Sequence, residues 1–179
     1  MKTLRFAGGI LLWAIICASA AVAADRTLTD DQGRSVVLRE SPTPDFFHYT
    51  NERFAFTVDV SALFEKAFVV PDNGDGVILS DAGDQARFRA SGGNRLDKKT
   101  IRQLFEAERK ELGSAVAYAH QGKNFYILSW TQDNEIHYRK FILGPSTWCD
   151  MELTYPAARK KEFDPIVARS AKTFLFIGK

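Results

Sequence analysis

Four times between residues 115 and 155 the chain repeats one pattern: a run of alternating apolar and polar residues, then a short turn. The runs cover residues 115–120, 125–131, 135–143 and 147–155, and the breaks are Gln121-Gly122-Lys123-Asn124, Gln132-Asp133-Asn134 and a turn around Gly144-Pro145. A period of two marks strands with one buried face, and such short links leave no room for the crossover a parallel pair needs. The segment therefore has to form an antiparallel meander. Its last hairpin has a readable register. Ile136, Tyr138 and Ile142 must share a side with Cys149, Met151, Leu153 and Tyr155, and with a four-residue loop this sets Tyr138 opposite Leu153, Arg139 opposite Glu152 and His137 opposite Thr154. Arg139 and Glu152 are expected as a solvated cross-strand ion pair contributing ~0.5 kcal/mol.

Upstream, Phe54, Phe56, Val58 and Val60 alternate after a turn at Asn51-Glu52, and a second hairpin turns at Asp81-Ala82-Gly83-Asp84 between Val77-Ile78-Leu79 and Ala86, Phe88 and Ala90. Residues 61–66 read as one helical turn. Asp97 is placed to cap a helix carrying Ile101, Leu104, Phe105 and Leu112 on one stripe, stopped by Gly113. Asp164-Pro165 reads as the cap and first residue of a second helix, with Phe163, Ile166, Val167, Ser170, Ala171 and Phe174 on its apolar face. Residues 25–45, polar and containing Ser41-Pro42-Thr43-Pro44, read as an N-terminal arm that either pairs with the sheet or hangs free. Hairpins, helix, meander, helix is the order of an α+β layered domain, here residues 46–179, rather than a βαβ fold.

Lys2 and Arg5 precede an uncharged stretch, residues 6–24, that ends in small residues, the pattern of a secretory signal peptide cleaved after Ala23 or Ala24. Its removal takes two of the 24 Lys and Arg, leaving 22 against 22 Asp and Glu. A chain without net charge or basic runs has no general electrostatic attraction to nucleic acid or anionic membrane. Cys149 is then the one remaining cysteine, so no internal disulfide can form, and its apolar face marks it as a buried thiol with a raised pKa.

Chemistry is sparsely signalled. Asp72-Asn73-Gly74-Asp75-Gly76 places glycines where a calcium loop needs oxygen ligands and reads as a turn. His48, His120 and His137 stand on separate strands without metal-ligand spacing, no Gly-x-Ser-x-Gly elbow occurs, and Gly92-Gly93 lacks the lysine of a phosphate loop. No catalytic residue, cofactor or metal is expected. The best binding candidate is the polar face carrying His137, Arg139, Trp148, Asp150 and Glu152, because a tryptophan among charges is common in contact patches, unless a flanking helix covers it.

Two stretches carry a resemblance: residues 49–58 (Tyr49-Thr50-Asn51-Glu52-Arg53-Phe54-Ala55-Phe56-Thr57-Val58) leading to Pro71-Asp72-Asn73-Gly74-Asp75-Gly76, and Leu153-Thr154-Tyr155-Pro156 with Phe163-Asp164-Pro165-Ile166-Val167. Together they resemble exported bacterial proteins of the PsbP-like and Mog-type fold. The chain departs from these relatives at Ala55, where a glycine is usual, and at Ser61, where a proline is. The resemblance implies an α/β/α sandwich with a central, mainly antiparallel sheet, and a small non-enzymatic accessory or binding domain. The expected role is that of a soluble periplasmic protein engaging an envelope protein or component, without stable membrane insertion after cleavage. A small-ligand or metal carrier and a hydrolase without a sequence motif are the alternatives.

Overall fold

The computed structural model describes residues 24–178, and apart from Ala24 the expected signal peptide lies outside them. Twelve strands form two antiparallel sheets. β1 (Arg26–Thr29), β2 (Ser35–Glu40), β3 (Phe46–Asn51), β4 (Phe56–Ser61) and the C-terminal β12 (Leu175–Phe176) make the smaller sheet, in that order. The larger runs β5 (Phe64–Val69), β6 (Gly76–Asp81), β7 (Arg87–Asn94), β11 (Thr147–Pro156), β10 (Glu135–Leu143), β9 (Phe125–Gln132) and β8 (Val116–Gln121). Among the described residues two α-helices, α1 (Ile101–Leu112) and α2 (Lys160–Thr173), complete the fold. The mainly antiparallel α+β class is as expected, but the strands divide between two sheets where one central sheet was anticipated.

The principal core lies between the sheets. Phe56, Val58 and Val60 from the small sheet meet Leu79, Phe88, Met151 and Leu153 from the large one, all of them buried. α2 closes this core, with Phe163 stacked on Tyr155 at 4.4 Å and Phe174 edge-on to Phe56 at 5.7 Å. Each such side chain contributes roughly 1.5–3 kcal/mol of burial. α1 covers part of the opposite face of the large sheet, where Phe105, Tyr126, Leu128, Trp130 and Phe141 form a second cluster.

The meander follows the expected register: Tyr138 pairs with Leu153, Arg139 with Glu152 and His137 with Thr154. Elsewhere local signals misled. Residues 61–66 do not form a helical turn. β5 begins at Phe64, and register shifts on both sides of Lys66–Ala67 bring Phe64 and Ala67, three residues apart, to the same core, a spacing that imitates a helix. The arm folds into the β1–β2 hairpin, burying Leu28, Val36 and Leu38. Asp30 secures that hairpin by accepting bonds from the backbone N–H groups of Gln32, Arg34 and Val70.

α1 is capped by Thr100 rather than Asp97. The Thr100 hydroxyl accepts from the Gln103 N–H while the Gln103 Oε1 accepts from the Thr100 N–H, a capping box. α2 starts at Lys160, so Pro165 lies within it rather than at its first turn. Lys160 pairs with Asp164 along its exposed side at 2.7 Å, which takes Asp164 away from a capping role. Gly113 terminates α1 with φ 57°, as its position suggested.

Candidate functional site

Alternation on β11 sends Cys149, Met151, Leu153 and Tyr155 into the principal core and Trp148, Asp150, Glu152 and Thr154 to the α1 side. Cys149 is fully buried and burial pushes its thiol up to about 12. On the α1 side the neighbours of Asp150 and Glu152 are Ser91 and Arg89 on β7 and Phe141 and Arg139 on β10. Register alone thus places an arginine on each side of Glu152, both diagonal to Asp150.

Asp150 is the centre of the resulting lattice and is fully buried. Its Oδ1 accepts from the Ser91 hydroxyl at 2.7 Å and from Arg89 at 3.1 Å, its Oδ2 accepts from Arg89 at 2.9 Å, and Arg139 forms an ion pair with Oδ2 at 2.7 Å. Glu152 accepts from Arg89 at 2.9 Å and lies 3.2 Å from His137 Nδ1. Arg139 also donates to Glu108 of α1 at 2.9 Å, and Glu108 accepts the Tyr126 hydroxyl as well. Arg139 and Glu152 therefore do not form the solvated pair expected of them. Each turns to other partners in a largely buried setting, because α1 and β7 supply better-placed charges.

The protonation states follow from this geometry. Burial works against the Glu152 charge, but the His137 bond and the Arg89 pair outweigh it and hold the carboxyl at about 2. Burial likewise opposes the Arg139 charge and is overcome by Asp150 and Glu108, which raise its pKa. Tyr126 is raised by burial and by its bond to Glu108, so its phenol stays protonated and donates. His137 lies flat on Trp130, 4.7 Å between ring centres and 3° between planes, which fixes the imidazole.

Trp148 is separate from these charges. It stacks on Phe141 at 5.8 Å and lines a recess of ≈ 250 Å³ with Leu96, Leu104, Phe141 and Leu143. Gly93 faces it across the β7–β11 pair, and a Cβ there would come within 2.6 Å of the indole. Gly92 points the other way, where a Cβ would meet Phe54 at 2.4 Å. The glycine pair thus admits one aromatic ring on each side of the strand. Of the five residues expected as a patch, His137, Arg139, Asp150 and Glu152 come together, and Trp148 belongs to the neighbouring recess.

Arg89, Ser91, Glu108 and Tyr126 were missed, and the long connection between β7 and β11 hides the first two from any local pattern. Arg87, opposite Thr154, was missed too. Its guanidinium lies 3.7 Å over the Phe68 ring, it makes no ion pair among the described residues, and its Nη1 is buried without a hydrogen-bond partner. Ile78, Arg87, Arg89, Glu152 and Thr154 line a shallow groove of ≈ 140 Å³ at the rim of the lattice.

The other histidines lie elsewhere. His120 on β8 packs 5.8 Å from Phe125. His48 sits on the small sheet with Nδ1 2.9 Å from Asp59 and Nε2 2.5 Å from the Thr57 hydroxyl, while Asp59 is also bound by Arg169. Thr57 also donates to the Tyr49 carbonyl at 3.1 Å. Asp72-Asn73-Gly74-Asp75-Gly76 is tied to the β3–β4 turn, with Asn51 donating to the Gly74 carbonyl at 2.9 Å and Arg53 pairing with Asp75 at 3.1 Å.

The sequence matches no protein-family model and no curated protein. Among solved structures the chain is similar to the solution structure of cyanobacterial PsbP (CyanoP) from Synechocystis sp. PCC 6803, with a TM-score of 0.54 at 10% identity over 75% of this chain and 94% of that one. The PsbP-like likeness is one of fold.

Proposed function

We propose that the protein is an exported, non-enzymatic binding module that engages an acidic group of an envelope protein at the rim of the charged lattice. The observation that carries this reading is Arg87. It makes no ion pair among the described residues, although its charge reaches Asp84, and it is held against Phe68 at the edge of a groove whose Arg89 and Glu152 already pair with each other. A guanidinium fixed in this way loses little rotamer entropy on pairing and presents a planar fork to a carboxylate. The leader-like N-terminus and the absence of net charge in the remaining chain fit an exported soluble protein. Among the described residues no helix is long and apolar enough to cross a membrane.

The test is affinity capture from cross-linked envelope, comparing wild type with Arg87→Ala and Trp148→Ala. Loss of a specific partner with Arg87→Ala alone supports the rim. Loss with Trp148→Ala alone moves the contact to the apolar recess. Capture unchanged in both variants removes this whole face.

A hydrolase reading rests on one observation, the Thr57–His48–Asp59 chain, which has the order of nucleophile, base and orienting acid. Thr57 is buried and bonded to the Tyr49 carbonyl, which favours a structural role. Covalent labelling by a fluorophosphonate that is lost in both Thr57→Val and His48→Ala would establish the hydrolase; no labelling would dismiss it.

A further inference from the structure

The four strands at the sheet edges differ in how they are closed to other chains. β12 has two residues. β1 has four, and its Arg26 reaches across to the Ala62 carbonyl at 3.0 Å. β5 is broken by two register shifts, carries exposed Glu65 and Lys66, and is approached at its end by Asp30, which accepts the Val70 N–H at 3.0 Å. These are the usual protections of a sheet edge: shortness, charge, irregularity and cover. β8 has almost none of them. It runs six residues, Val116-Ala117-Tyr118-Ala119-His120-Gln121, without Lys, Arg, Asp, Glu, Pro or Gly, and it leaves Ala117, Tyr118, His120 and Gln121 exposed. Its single register shift lies at its start, between Val116 and Tyr118.

The ladder phase defines what this edge presents. The Gly122 N–H donates to the Phe125 carbonyl at 2.8 Å, closing the β8–β9 turn with a hydrogen-bonded pair. Bonded pairs then alternate back along the hairpin through His120 with Ile127 and Tyr118 with Ser129, and the N–H and C=O groups of Ala119 and Gln121 point outward, away from β9. An added strand satisfies them, and a second copy related by a two-fold axis adds in the antiparallel sense.

We infer that β8 is the seam of a two-fold homodimer, in which it pairs antiparallel with β8 of a second copy about Ala119 and joins two seven-stranded sheets into one. In this register Ala119 faces its own counterpart, so the backbones approach over small side chains. Tyr118 lies opposite His120 of the second copy, a donor and acceptor pair made twice by the symmetry. An uncharged strand meets its copy without like-charge repulsion, and a chain with equal numbers of acids and bases outside its leader adds no long-range repulsion.

Sedimentation of the chain from Asp25 onward, over a concentration series, tests this. Wild type is expected at twice the monomer mass, and Ala119→Pro at the monomer mass with its unfolding midpoint retained, because proline is tolerated where an edge N–H faces solvent. Tyr118→Lys, which sets two cations across the seam and leaves the ladder intact, is expected to be monomeric as well and decides the matter if the proline variant fails to fold. A monomeric wild type, including one that captures an extended segment of another protein, overturns the inference. So does a dimer that persists in Tyr118→Lys. Neither result bears on Arg87, which lies toward the other edge of the sheet.

Discussion

The two faces of the large sheet are built from alternate residues of the same strands, yet they are stabilised by different physics. On one face Cys149, Met151, Leu153 and Tyr155 join an apolar core in which contacts are non-directional. On the other, beside the second apolar cluster that α1 covers, Asp150 and Glu152 hold Arg89, Arg139 and His137 through bonds and ion pairs. The apolar face supplies burial energy and tolerates repacking. The polar lattice supplies orientation, since burying those charges is worthwhile only while their partners are in place, although Arg139 Nε is itself buried without one.

The sharpest way to break the comparison is to remove one residue from each face. Asp150→Ala removes a buried carboxylate from two partly buried guanidinium groups and is expected to lower stability by about 2–4 kcal/mol, whereas Asp150→Asn keeps part of the hydrogen bonding and costs less. Leu153→Ala, its apolar neighbour, is expected to cost about 3 kcal/mol as a cavity. Urea unfolding reads both, and an Asp150→Ala loss under 1 kcal/mol would reduce the polar face to a solvated surface.

Acid sharpens the same contrast. The folded Glu152 carboxyl, at about 2, lies below its ordinary value of 4.5, so its contribution is fully present above pH 4.5 and disappears as pH falls through about 2. A shift of that size corresponds to about 3 kcal/mol. Wild type should therefore exceed Glu152→Gln in stability near neutrality, with the gap closing between pH 4.5 and 2. A gap independent of pH in that window would mean that the carboxylate charge is not what stabilises the site.

Steric fit gives a smaller effect. Gly93→Ala places a methyl group against Trp148 and is expected to cost about 1–3 kcal/mol, most of it recovered when Trp148→Ala is combined with it. Equal cost in both backgrounds would show that the strand backbone, not the indole, sets the need for glycine. The smallest effect is a gain. Ala55 has φ 50°, the left-handed region where a Cβ is strained, and Ala55→Gly is expected to stabilise by about 0.5–1 kcal/mol in thermal unfolding.

Much of this fold was legible because alternation and short turns are local. Tyr138 opposite Leu153 required only parity and a loop length. The stripes on α1 and α2 were equally plain, since Phe105, Phe163 and Ile166 recur at helical spacing. The partners of Arg139 were not legible. Asp150 sits diagonally to it and Glu108 arrives from a helix whose docking no local pattern encodes, while β7 reaches β11 only after α1 and three strands have intervened. β5 was misread because its bulges erase the alternation. Ala55 is the converse case: the departure from the resembled sequences, which have glycine there, falls at a residue with φ 50°.

The central claim is that the polar face is a buried, mutually dependent lattice rather than a set of solvated pairs. A double-mutant cycle between Arg139 and Asp150, using Arg139→Met and Asp150→Ala in urea unfolding, measures that dependence. The account predicts a coupling energy of about 2 kcal/mol or more, and a coupling below about 0.5 kcal/mol would contradict it.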